Sequence, residues 1–157
     1  MAAAERLEAG DPMTDSFFSK IDETRIVAAI QAAESRSRGE IRIHVTEKPV
    51  ADVLQEARTA FERLGMTATD ERNGILIFVA PKSQKFAVLG DSGITSRTGT
   101  GVLDEIAASM TSAFRAGQFT DGLAQAVEQA GSLLSAHFPR VEGRNDRDEL
   151  SNTISRG

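Results

Sequence analysis

The sequence contains no cysteine, no tryptophan and no tyrosine among its 157 residues. The lack of cysteine excludes thiol catalysis, disulfide bonds and thiolate metal sites, and we expect a reducing, cytoplasmic location. The missing Trp and Tyr remove favoured base-stacking side chains, although eight Phe remain. With a net charge of −5 and no extended basic stripe, the composition argues against a nucleic-acid partner.

The chain also lacks a long hydrophobic run. No apolar stretch approaches the roughly 18 residues of a membrane-spanning helix, so we expect no direct membrane insertion. Residues 1–14 lack the basic and apolar segments of a secretory signal and are predicted to be a flexible leader, with Met13 as an alternative start. Residues 140–157 are polar and predict a flexible tail, which leaves 15–139 as a single domain.

Apolar patterns inside that domain predict a small sheet. Residues 75–80 are six successive apolar residues, so this strand should be covered on both faces. Only four residues separate it from the apolar run 85–89, too few for a helical crossover, so the two runs form an antiparallel hairpin. Upstream, residues 40–46 alternate between apolar and polar side chains, which predicts a strand with one buried and one polar face.

Helical patterns surround these strands. Between the first two strands, residues 51–65 carry apolar side chains at helical spacing and predict a right-handed crossover, so those strands should run parallel. Other amphipathic segments precede the first strand and follow the third. The predicted fold class is therefore α/β: a three-layer α/β/α sandwich with a mixed sheet of three to four strands, a hairpin between the second and third, and helices on both faces.

The segment Gly90-Asp91-Ser92-Gly93 follows the hairpin and contains a serine in a nucleophile-like setting. Its letters match a serine-protease motif, but that chemistry needs a spatially matched His and Asp in a larger double barrel. We favour a tight strand exit in which Asp91 forms an Asx turn. His44 and His137 are the only histidines, have no zinc-site spacing, and are interpreted as surface or hydrogen-bonded residues.

Oxygen-bearing side chains are also predicted near one edge of the sheet. Asp91 lies at the exit of the third strand and Asp104 at the start of the next helix, with Asn73 and Glu40 as further contributors. Because Ca²⁺ takes oxygen ligands from dispersed loops, these four residues are a candidate metal site. The alternative is that Asp104 only complements the dipole of its helix.

Several segments, in their order and spacing, resemble the TPM-domain family, specifically its stand-alone soluble branch. The resemblance covers roughly residues 16–139. The matching segments are Glu34 with Gly39-Glu40-Ile41, Phe61-Glu62-Arg63-Leu64-Gly65-Met66, Arg72-Asn73-Gly74-Ile75-Leu76-Ile77, Gly90-Asp91-Ser92-Gly93-Ile94, Asp104, Phe114 with Gly117 and Gly122-Leu123, and His137-Phe138-Pro139.

The resemblance implies an α/β/α sandwich, and members of the family have been described as acid phosphatases and as Ca²⁺ binders, while others act in membrane-protein repair or assembly. We therefore expect a monomeric, non-enzymatic, Ca²⁺-binding module for envelope or membrane-protein maintenance, with an unknown protein partner. Two alternatives stay open: a ligand-free protein-interaction domain, and a metal-assisted acid phosphatase, although no recognised phosphatase motif is present in the sequence.

Overall fold

The computed structural model describes the backbone of residues 2–6, and residues 17–99, 101–140 and 154–157. Met13, most of the predicted leader and most of the predicted tail lie outside the described residues. The helices are α1 (Phe17–Lys20), α2 (Glu23–Glu34), α3 (Val53–Arg63), α4 (Ser92–Thr98), α5 (Gly101–Arg115) and α6 (Phe119–His137). The strands are β1 (Ala2–Arg6), β2 (Glu40–Val45), β3 (Gly74–Ala80), β4 (Lys85–Gly90) and β5 (Ser155–Arg156).

The strands form one mixed sheet in the order β1-β4-β3-β2-β5. β2 and β3 are parallel and are joined by α3, whose first turn is capped by Asp52 through a bond from the Gln55 amide to its carboxylate. β3 and β4 are antiparallel and are joined by a short 3₁₀ turn, Pro81–Ser83. The predicted crossover and the predicted hairpin are both confirmed.

The structure differs from the prediction at both ends of the chain. β1 pairs antiparallel with β4, and β5 pairs parallel with β2 at His44 and Val45, so the sheet has five strands instead of three to four. Residues 2–6 and 155–156 are thus edge strands that lie within the segments predicted as leader and tail. The apolar pattern did not reveal them because edge pairing uses backbone hydrogen bonds, which need no alternation of side chains.

Helices cover both faces of the sheet, which confirms the three-layer arrangement. The larger core contains Ile43 of β2, Ile77 of β3 and Val88 of β4, and five helices contribute to it: α1, α2, α4, α5 and α6. The smaller core contains Leu76 and Phe78 on the opposite face of β3, and α3 packs there. No helix within the described residues is long and apolar enough to cross a membrane.

β2 has the predicted alternation, but its polar side chains are not exposed. Ile41, Ile43 and Val45 point into the larger core. Glu40 and His44 alternate with them and therefore face the α3 side, yet they are only 5% and 2% exposed. A polar strand face has therefore become buried on the α3 side of the sheet.

Candidate functional site

The predicted oxygen ligands lie at the end of the sheet where β2 and β3 begin. Because β4 runs antiparallel to β3, the residue that follows β4 lies beside the residue that begins β3, and the Asp91 amide donates to the Gly74 carbonyl at 3.0 Å. Asn73 immediately precedes β3, and Glu40 pairs with Gly74 in the sheet register. The hairpin and the parallel pairing thus bring Asp91, Asn73 and Glu40 to one end.

The Asp91 carboxylate is held by an arginine. Arg72 donates from Nε to one carboxylate oxygen at 2.6 Å and from Nη2 to the other at 2.9 Å, and the Ser92 amide donates to that second oxygen at 2.7 Å. Asp91 is buried and Arg72 is about half exposed, with a side-chain exposure of 49%. The hydrogen bond and the charge of Asp91 raise the pKa of Arg72 above its usual value. Asp91 therefore acts both as the cap of α4 and as half of a bidentate ion pair.

A second bidentate ion pair lies beside the first. Arg38 donates to the two carboxylate oxygens of Glu71 at 2.7 Å and 3.0 Å, and the Asn73 side-chain amide donates to the Arg38 carbonyl at 3.2 Å. Arg38, Glu71 and Arg72 are not among the site residues predicted from the sequence, although Arg72 begins one of the segments that resemble the family. The signal that could have found two of them is the charged pair Glu71-Arg72, placed directly before the buried strand β3.

Asp104 lies on a helix that packs on the other face of the sheet from the Asp91 cavity. It is exposed in the first turn of α5, which packs on the larger core, whereas Asp91 lines a cavity of about 190 Å³ on the α3 side together with Arg58 and Phe61. Within the described residues, no three His, Cys, Asp or Glu side chains are grouped as a metal site would require. The oxygen donors at the sheet end suit Ca²⁺ chemically, but a cation there would have to replace Arg72 at Asp91.

The serine and the buried histidine lie towards opposite ends of the sheet. Ser92 lies two residues after Gly90, which pairs with Ile75 of β3, whereas His44 pairs with Phe78 of the same strand. Three residues along β3 span roughly 10 Å, and the two strands concerned are separated by a third. Ser92 and His44 therefore do not form a nucleophile–base pair, which supports the interpretation of Ser92 as part of a strand exit.

A polar cleft of about 420 Å³ lies at the other end of the sheet, where the parallel strands β2 and β3 finish. Open α/β folds usually bind ligands outside the carboxyl ends of their parallel strands. The cleft lies between α3 and β5, over the face of β2 that carries His44. Three segments of the domain contribute to its lining: His44, Thr46 and Lys48 lie in or just after β2, Phe78 lies in β3, and Glu56, Arg63 and Leu64 lie in α3 and the turn after it. The chain segment of β5 adds Ser155, Arg156 and Gly157.

His44 is the most buried polar side chain of this cleft. Its Nδ1 is 2.9 Å from the Ser155 hydroxyl, and its ring stacks on Phe78 with centroids 5.5 Å apart. Its Nε2 is buried and has no hydrogen-bond partner among the described residues. Burial lowers the pKa of His44 from 6.5, and the charges of Arg63 and Arg42 lower it further, while the Gly157 backbone acts in the opposite direction. His44 is therefore not a surface residue, and of the two predicted alternatives the hydrogen-bonded one is present at Nδ1.

We expect His44 to make the stability of the fold depend on pH. Its pKa is lower in the folded chain than the value of about 6.5 expected in the unfolded chain, so the unfolded state binds more protons in this range. The stabilisation is complete above about pH 6.5 and is lost as the pH falls through the folded pKa. Denaturant melts between pH 7.5 and 5.5 should show this loss in the wild type.

The matched variant for this measurement is His44→Phe, which keeps an aromatic ring against Phe78 and removes the titrating group. Its free energy of unfolding should depend less on pH than that of the wild type over the same interval. A wild-type stability that stays level or rises on acidification, relative to the variant, would contradict the lowered pKa.

Comparison with known proteins identifies the class to which this arrangement belongs. The sequence profile described as TPM domain matches residues 13–133, and the chain therefore belongs to the TPM-domain family. A similar solved structure is the NMR structure of BA42 protein from the psychrophilic bacteria Bizionia argentinensis sp. nov.. The two chains are 35% identical with a TM-score of 0.79, over 96% of this chain and 99% of BA42. No curated protein sequence matches the chain.

Proposed function

We propose that this protein is a non-enzymatic TPM module that binds Ca²⁺ and serves envelope or membrane-protein maintenance through a protein partner. The observation that carries the proposal is that Asp91, Asn73 and Glu40 lie at the same end of the sheet, where β2 and β3 begin. These side chains offer carboxylate and amide oxygens, which are the ligands that Ca²⁺ prefers. The two carboxylates are largely buried, which favours an opposite charge beside them.

In this proposal Ca²⁺ competes with Arg72 for the carboxylate of Asp91. A cation at Asp91 removes the partner of Arg72, whose side chain is already about half exposed. The released guanidinium then offers five hydrogen-bond donors and a permanent charge at the surface, which suits an acidic segment of a protein partner. Calcium would thereby change the charge that the module presents without any large movement of the fold.

The two alternatives make different use of the same end of the sheet. A ligand-free interaction domain would keep the Arg72–Asp91 pair as a structural bond and would not respond to Ca²⁺. A metal-assisted phosphatase needs several fixed metal ligands and a positioned nucleophile. The separation of Ser92 from His44 and the engagement of Asp91 by Arg72 favour a binding module over that chemistry.

A calcium titration followed by calorimetry and by thermal melts tests the proposal. We expect a dissociation constant nearer 10⁻⁴ M than 10⁻⁷ M, an order-of-magnitude figure for a site with few carboxylates. Calcium at about a hundred times that constant should then stabilise the fold by roughly 2.7 kcal/mol. A melting temperature indifferent to millimolar Ca²⁺ would favour the ligand-free interaction domain, and robust phosphomonoester turnover by the Ca²⁺-loaded protein would favour the phosphatase.

Variants of one ion pair should move the calcium affinity in opposite directions. Asp91→Asn keeps a helix-capping side chain but removes the charge, so it should abolish most of the gain from Ca²⁺. Arg72→Gln removes the competitor and should tighten Ca²⁺ binding. Asp121→Asn, at the start of α6, is the matched control and should change neither the calcium affinity nor the stabilisation by Ca²⁺. Asp104→Asn tests the remaining predicted ligand: a lost calcium response would include α5 in the site.

A further inference from the structure

The cleft between α3 and β5 contains a buried polar atom that has no well-formed hydrogen bond within the described part of the chain. His44 is 2% exposed, and its Nε2 has no hydrogen-bond partner among the described residues although its Nδ1 contacts Ser155. Leaving a buried polar nitrogen without a partner destabilises the fold, because the nitrogen loses its hydrogen bonds to water and gains none in return. A ligand that supplies the missing partner would recover that loss, so the atom points to something that binds in the cleft.

The charges that line the cleft indicate which kind of ligand would fit. Arg63 and Lys48 contribute two positive charges and Glu56 one negative charge. Arg156 also lines the cleft, but it is paired with Glu23 at 3.1 Å. Among the side chains of Arg63, Lys48 and Glu56 the net charge is positive, and Thr46 adds a hydroxyl. An imidazole N–H, a guanidinium, an ammonium and a hydroxyl together form a set of donors suited to an oxyanion.

We propose that this cleft is a binding site for a small oxyanion-bearing molecule, in which a carboxylate or phosphate group accepts from His44 Nε2 and is paired with Arg63 and Lys48. The cleft volume of about 420 Å³ suits a ligand of the size of a small organic acid or phosphate ester. Phe78, beneath the imidazole, provides an apolar wall for the remainder of the molecule. This site is separate from the Asp91 end of the sheet and does not depend on Ca²⁺.

The Ser155 hydroxyl fixes the histidine tautomer that the site requires. When this hydroxyl donates to Nδ1, the neutral ring carries its proton on Nε2 and can donate it to the ligand. Ser155 therefore acts on the ligand through His44, as a positioning residue. Nitrogen-15 spectra of the imidazole should show the Nε2-protonated tautomer in the wild type, and Ser155→Ala should shift the population towards the other tautomer and weaken anion binding.

The binding test is an amide NMR titration of the full chain with two probes, inorganic phosphate and malonate. We expect saturable shifts at residues 44–48, at Arg63 and at 155–157, and the probe that binds more tightly identifies the oxyanion class. Bound anion should also raise the pKa of His44, because a negative charge favours the imidazolium and opposes the lowering by Arg63 and Arg42. The absence of saturable shifts with both probes would overturn the proposal.

Three variants separate the effect on anion binding from effects on folding and on overall charge. His44→Phe preserves the ring stack on Phe78 and should fold normally while losing binding at least about tenfold, the effect of one hydrogen bond to a charged group. Arg63→Gln should also weaken binding about tenfold. Arg58→Gln makes the same charge change on the same exposed helix but lines the other cavity, so it should bind as the wild type does. Equal losses in Arg58→Gln and Arg63→Gln would refute a specific site.

Discussion

Replacing Ile77 by alanine is expected to lower the free energy of unfolding by about 2–5 kcal/mol, the range for large-to-small changes in a packed core. Ile77 is fully buried at the middle of the central strand β3, with Ile43 of β2 on one side and Val88 of β4 on the other. All three side chains belong to the larger core, so the cavity would be enclosed on every side. Urea melts of the two proteins measure the difference.

Ile43→Ala is the informative comparison for Ile77→Ala. The sequence pattern placed Ile43 on a half-polar strand and so predicted a smaller loss there. The structure buries Ile43 as completely as Ile77, and we now expect the two losses to be similar. Leu54→Ala, at a half-buried position on α3, should cost clearly less. A loss below about 1 kcal/mol for Ile77→Ala would mean that β3 is not the packed centre of the sheet.

The centre of the fold could be predicted because its signals are local and strong. The apolar run of β3 requires cover on both faces, and the short link to β4 leaves only a hairpin. From these two facts it follows that the residue after β4 returns to the start of β3. The placement of Asp91 beside Asn73 was therefore accessible from the sequence alone.

The ionic contacts at that end of the sheet could not be predicted in the same way. Arg72 adopts a positive φ of 51°, which few non-glycine residues do, and this backbone conformation accompanies its contact with Asp91. The residues that flank Arg72 in the sequence do not specify that backbone conformation. The sequence therefore predicted which carboxylate lies at the sheet end, but not that an arginine already binds it.

The second site was missed because burial of a strand face depends on distant parts of the chain. The alternation in β2 correctly assigned His44 to the polar face. Whether that face meets water depends on α3 and on β5, and β5 comes from a segment 111 residues away with no apolar pattern. A histidine on a polar strand face is ordinarily exposed, and only the packing of these two elements makes His44 a buried group.

Gly93→Ala is the second substitution with a large expected effect: we expect it to lower the stability of the fold. Helix propensity alone would predict a gain in stability. Gly93 lies in the first turn of α4, where alanine would favour the helix by roughly 1 kcal/mol. However, an added Cβ would overlap the carbonyl oxygen of Glu71 and lie 2.6 Å from that of Arg72. Both neighbours are backbone atoms, which cannot move aside as a flexible side chain would.

The start of α4 must therefore shift away from the loop that precedes β3. That movement breaks the 2.8 Å bond from the Gly93 amide to the Arg72 carbonyl and disturbs the Arg72–Asp91 pair. We expect a loss of about 1–3 kcal/mol or more, typical of overpacking, together with a weaker calcium response. Gly101→Ala is the matched control, because in the described part of the chain no atom outside its own helix and its chain neighbours lies within 4 Å of its added Cβ. Thermal melts should show Gly101→Ala unchanged or slightly stabilised, and an equally stable Gly93→Ala would contradict the tight contact between α4 and the β3 loop.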